Sequence, residues 1–170
     1  MKSICLILFS LLLSGCAGLP KGIEPVTNFK LDRYLGEWYE IARLDHRFER
    51  VLEQVTATYS MNDDGSVRVV NRGFSTKSGK WEDATGKARF AGNTDVGYLE
   101  VSFFGPFFGS YVIFELDKDN YQYAFITGSE NTLWLLSRKP KISDLVKENF
   151  LKKIEGYGYN SQELIFVNHE

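Results

Sequence analysis

The sequence predicts an all-β domain: an eight-stranded antiparallel up-and-down β-barrel with one C-terminal α-helix packed against its outside. Three observations carry this expectation. Between residues 36 and 138, short alternating runs follow one another, separated by Gly, Asn and Asp, and no stretch holds a helical period long enough to compete. Two of the separators, Met61-Asn62-Asp63-Asp64-Gly65-Ser66 and Asp117-Lys118-Asp119-Asn120, consist of residues that tolerate the positive φ of tight hairpins. The one amphipathic segment, residues 140–156, follows the strands instead of alternating with them, which fits a helix covering a barrel and not a parallel α/β sheet.

The chain opens with Lys2 and an apolar run, residues 4–13, too short to span a bilayer comfortably, so residues 1–15 read as a signal peptide. The run ends in Leu13-Ser14-Gly15-Cys16, which resembles the lipobox of bacterial lipoproteins. That resemblance implies diacylglycerol on the Cys16 sulfur, cleavage just before it and a lipid anchor; an ordinary cleaved signal with an incidental cysteine is the alternative. Cys5 leaves with the signal, so no disulfide is expected. Residues 16–28, with Gly18, Pro20, Gly22 and Pro25, read as a lipidated N-terminus and extended tether, and residues 29–170 as the folded domain.

Strands are expected near residues 36–44, 53–61, 66–74, 83–91, 97–104, 110–117, 121–127 and 132–138. Alternation assigns their faces: Val55, Ala57 and Tyr59 point inward, then Val67 and Val69, then Leu99, Val101 and Phe103, while Arg68 and Glu100 face water. Strands six to eight are apolar on both faces, as in Tyr111-Val112-Ile113-Phe114 and Leu133-Trp134-Leu135-Leu136, so their outer side needs a cover. The helix in 140–156 supplies it, with Ser143 as N-cap, a stripe of Ile142, Leu145, Val146, Phe150 and Ile154, and Gly156 at its end. Residues 164–167 form a candidate last strand.

Composition narrows the chemistry. At 170 residues, 44% hydrophobic and 15% aromatic, the chain suits one domain with a sizeable core. A formal net charge of -2 gives no broad cationic surface for nucleic acid. Two cysteines and two histidines, His46 in a loop and His169 at the terminus, offer neither metal-ligand spacing nor a nucleophile with its base, so no metal, cofactor or catalytic residue is assigned.

Leu35-Gly36-Glu37-Trp38-Tyr39-Glu40-Ile41-Ala42 resembles the Gly-x-Trp motif that opens the first strand of lipocalins, and Ser137-Arg138 resembles the motif that ends their last strand. The middle motif is matched only in part, by Leu116-Asp117 and Tyr121. The physical reading agrees: Trp38 can plug one end of the barrel, with Arg138 over its ring and Gly36 giving it room. The likeness runs from about Phe29 to Val167, nearest to bacterial outer-membrane lipocalins and more distantly to apolipoprotein D. It implies a binding and transport protein, not an enzyme, that stores or shuttles a fatty acid or lysophospholipid during envelope maintenance under stress, anchored in the cell outer membrane through Cys16 and acting as a monomer or homodimer. A membrane platform or interaction protein with an unexchangeable lumen is the first alternative, and a lipid-modifying enzyme the second.

If Trp38 and Arg138 seal one end, the loops near 45–52, 75–82, 104–109 and 128–131 form the mouth. The lumen is then lined by Ala42, Val55, Ala57, Tyr59, Val69, Leu99, Val101, Phe103, Tyr111, Ile113, Trp134 and Leu136. Asn71, Glu115 and Glu40 are expected to interrupt this wall, either orienting a polar ligand group or pairing with neighbours. Arg43, Arg47 and Arg50 at the mouth either meet a head group or are neutralised by Asp45, Glu49 and Glu53. The aromatics Phe103, Phe104, Phe107 and Phe108 either pack as a loop cluster or stay exposed as an apolar patch, with Phe103 pointing inward.

Overall fold

The structure, a computed structural model, describes residues 22–45, 49–128 and 131–170. Eight strands form the barrel: β1 (Gly36–Leu44), β2 (Leu52–Met61), β3 (Val67–Ser75), β4 (Lys80–Phe90), β5 (Tyr98–Ser102), β6 (Gly109–Leu116), β7 (Tyr123–Gly128) and β8 (Leu133–Ser137). Each pairs antiparallel with the next, and pairing of β1 with both β8 and β2 closes the ring. A short helix α1 (Leu31–Tyr34) precedes β1, and α2 (Asp144–Gly156) follows β8. The last strand, β9 (Leu164–Phe166), pairs with the upper half of β1, where residues 42–44 face 164–166. There it takes the place of β2, which pairs with β1 only at residues 36–39.

Two apolar clusters divide the strands by face, as alternation requires. The inner one gathers Trp38, Ala57, Tyr59, Val67, Val69, Ala88, Leu99, Ile113, Ala124, Ile126 and Leu136. The outer one gathers Ile41, Leu44, Val112, Phe114, Phe125, Leu133 and Leu135 beneath Phe150 and Ile154 of α2. Phe150 stands edge-on to Phe125 with ring centroids 4.9 Å apart. Ser143 caps α2, its side chain accepting from the Val146 N–H. The helical stripe holds except at Leu145, which is 76% exposed: Phe150 and Ile154 are buried in the contact, and Ile142 and Val146 pack against it partly buried.

Two bulges correct the face assignments. In β1 the register against β8 shifts between Glu40 and Ala42, so one extra residue reverses the alternation. Ala42 therefore lies in the outer cluster and not in the lumen, while Arg43, expected in the mouth loop, turns inward opposite Trp134. In β6 the register shifts between Ile113 and Glu115; Phe114 faces α2, and Glu115 points outward to an ion pair with Lys153 of that helix instead of into the lumen.

The segment before α1 is packed. Ile23 is buried in the outer cluster. Val26 sits at the lower seam of β5 and β6, its N–H donating to the Ile113 carbonyl at 2.8 Å and its carbonyl accepting from the Gly97 N–H at 2.8 Å. Phe29 then lies under the barrel in the inner cluster.

The barrel lumen as candidate ligand site

At the closed end, Trp38 is fully buried and its indole N–H donates to the Tyr34 carbonyl at 2.8 Å. The Arg138 guanidinium lies 3.9 Å from the Trp38 ring centroid and donates to the carbonyls of Leu35 and Glu37, each at 2.8 Å, and of Arg33 at 2.9 Å. It also reaches the carbonyls of Tyr34 at 3.2 Å and Tyr121 at 3.4 Å, and a cation stacked on an indole while its planar fork holds several carbonyls is a use only arginine serves. Gly36 stands at φ 96°, and a Cβ there would meet Arg138 Nη1 at 3.3 Å. These three residues form the floor that the sequence motifs imply.

Above the floor, three phenols meet. The Tyr111 hydroxyl shares hydrogen bonds with those of Tyr34 at 2.7 Å and Tyr59 at 2.8 Å. Burial raises all three above the ordinary tyrosine range, so they stay neutral hydrogen-bonding groups at any physiological pH. Tyr34 comes from α1 and is not among the expected lining residues; its position just before the Gly-x-Trp stretch is the signal that could have found it.

The upper wall changes character. Leu99, Ile113 and Leu136 are buried, and Val55 is buried against Gly73, whereas Val101, Phe103, Tyr111 and Trp134 point inward yet are only half-buried. Ala57, Tyr59 and Val69 complete the lower wall. Asn71 lies opposite Ala57 on the inner face and is half-buried.

One polar group interrupts the apolar tube. Arg43 and Glu40, both buried, form an ion pair at 2.7 Å. A second Arg43 nitrogen donates to the carbonyls of Glu49 at 2.6 Å and Leu52 at 3.1 Å, tying the segment before β2 across the mouth, while Arg43 Nε is buried with no hydrogen-bond partner among the described residues. Burial first, and the neighbouring Glu49 charge second, hold the Glu40 carboxyl well above its ordinary range against the pull of Arg43. Trp134 Nε1 donates to the Glu49 carboxylate at 3.4 Å. Arg50 is exposed and paired with Asp45 at 2.8 Å, the neutralised reading of the mouth. Arg47, His46 and Cys16 lie outside the described residues. His169 sits outside the lumen, its ring edge-on to Tyr39 and 2.8 Å from the Glu40 carbonyl.

The lipocalin-like domain family matches residues 29–169. The chain belongs to the lipocalins. It is 50% identical over 171 residues to the outer membrane lipoprotein Blc of Vibrio cholerae, covering all of both chains. It is 48% identical to the protein of that name in Escherichia coli, over 87% of this chain and 84% of the relative. Apolipoprotein D of Cavia porcellus is a more distant lipocalin relative, 33% identical over 64% of this chain and 56% of that one. Among solved structures, insecticyanin of Manduca sexta superposes with a TM-score of 0.72 at 22% identity, covering 90% of this chain and 87% of that one, and so shares the lipocalin fold.

Proposed function

We propose that this lipocalin is an outer-membrane lipoprotein, anchored through Cys16, that binds a single-chain lipid, a fatty acid or lysophospholipid, in its lumen and stores or carries it for envelope maintenance under stress. The observation that carries the reading is the pairing of a sealed floor at Trp38 and Arg138 with an upper wall whose inward Val101, Phe103, Tyr111 and Trp134 stay accessible. An aliphatic and aromatic tube of this kind rewards an acyl chain with ~0.8 kcal/mol per buried methylene before ordering costs. The names of the relatives support the compartment, and the Leu13-Ser14-Gly15-Cys16 stretch supports the anchor. Membership of the lipocalins supports binding over catalysis.

The test is displacement of a fluorescent fatty acid. Val101→Arg and Leu136→Arg place a charge in the apolar tube and are expected to abolish binding, while Glu100→Arg on the outer face leaves affinity within about twofold. Equal affinity in all three folded variants would overturn the lumen as the site. Native mass spectrometry of the protein purified from its own membrane identifies the lipid.

A further inference from the structure

The barrel wall is incomplete at one place near the mouth. β4 pairs with β5 only from Lys87 to Phe90, so residues 80–86 have no strand partner on that side among the described residues. Ala84, opposite the inward Asn71, is exposed. The opposite bank of the gap is the segment joining β5 to β6, where the Phe103 ring fills the place that a Cβ on Gly86 would need, 2.9 Å away. Beyond it Phe104 is 71% and Phe107 81% exposed, while Phe108 lies under the Arg89 guanidinium at 4.1 Å. The cluster thus divides: Phe103 belongs to the lumen, Phe108 to the wall, and Phe104 and Phe107 to the surface.

We propose that this gap is a lateral port through which the lipid passes, held against the bilayer surface by Phe104 and Phe107. The proposal rests on the lipid-binding reading and adds where and from what phase the ligand arrives. Two exposed phenylalanines beside an opening into an apolar tube suit the interfacial zone of a membrane, where apolar side chains gain burial without a protein partner. The tether allows this placement. Val26 is bonded to Gly97, just before β5, and to Ile113 of β6, on the two strands whose upper ends carry the Phe104 and Phe107 segment. Cys16 lies six residues before Gly22, a reach of about 20 Å at ~3.3 Å per residue, roughly the length of a strand.

Full-length acylated protein in vesicles of phosphatidylethanolamine and phosphatidylglycerol provides the test. A fluorophore on Phe107→Cys is expected to be quenched by nitroxide-labelled lipid at least fivefold more than one on Asp119→Cys, in the exposed turn at the far end of β6. Equal quenching at the two positions would overturn the proposal. So would quenching at Phe107→Cys that appears only as protein density rises, which would mark a surface for a second copy. For uptake, a brominated single-chain lipid supplied in the same vesicles quenches the inward Trp38 and Trp134. Phe104→Ser with Phe107→Ser is expected to slow that uptake at least tenfold at unchanged final occupancy, and an unchanged rate would overturn the port. Failure of both forms to take up lipid would instead overturn the lipid-binding reading, and the fluorophore quenching, which uses no uptake, would still decide whether this surface meets the bilayer.

Discussion

Glu40 and Gly36 show how much single positions in β1 decide. Gly36 holds a positive φ that a residue with a Cβ enters only under strain, and that Cβ would press on the Arg138 guanidinium. Gly36→Ala is therefore expected to cost about 1–2 kcal/mol in urea unfolding, more than alanine costs at a position with ordinary backbone angles. Glu40, beside the bulge of β1, matters through its charge instead. Its carboxyl is raised by burial and by Glu49, so its contribution to stability is complete below the unfolded value near ~4.3 and is lost as pH rises through the folded value. Stability should therefore fall as pH is raised from about 5 toward 8, and Glu40→Gln should flatten that fall. Urea midpoints across this range check it; an equally steep decline in the variant would assign the effect to other groups. Arg43→Met is expected to destabilise by about 3–5 kcal/mol, because it strands a buried carboxyl and unties the segment before β2.

At the scale of the element, α2 stabilises the barrel through few residues. Phe150→Ala removes a fully buried ring from the contact with Phe125 and is expected to cost about 3–5 kcal/mol, whereas Leu145→Ala on the same helix should stay within about 0.5 kcal/mol. Equal losses would mean that the helix is held by its whole stripe. The contrast also marks what the sequence could reveal. Periodicity located α2 and its Ser143 cap, but Leu145 falls on the apolar stripe by spacing alone, while its neighbour Val146 is the residue of the first turn that packs on the barrel. The strands behave alike. Alternation placed Val67, Val69, Leu99 and Val101 correctly because their pairing is regular. It misplaced Ala42 and Glu115 because a bulge adds a residue without changing composition: Glu40-Ile41-Ala42-Arg43 reads equally well in either register. The most polar feature of the lumen, the inward Arg43, was hidden by that one residue, while the floor was legible because Gly36, Trp38 and Arg138 have few other uses at that spacing.

For the whole molecule, the anchor and the barrel are separable. Cys16→Ala is expected to abolish acyl labelling and release the protein from the membrane fraction, since the chain's other cysteine, Cys5, falls in the stretch that the sequence reads as a signal peptide; persistent labelling with fatty acid would contradict this. The barrel itself cannot be divided so easily. Its ends meet, because β9 pairs with β1, the Val167 N–H donates to the Ile41 carbonyl at 3.0 Å, and His169 reaches the Glu40 carbonyl across 129 positions of sequence. A chain emerging from an export channel amino end first therefore leaves one edge of the upper half of β1 unpaired until residues 164–166 are through. Closure of such distant pairs is slow, in the millisecond to second range for barrels, and the open edge is prone to pair with the wrong strand meanwhile. Removal of residues 164–170 should then be felt less in the lifetime of the finished fold than in the yield with which it is reached.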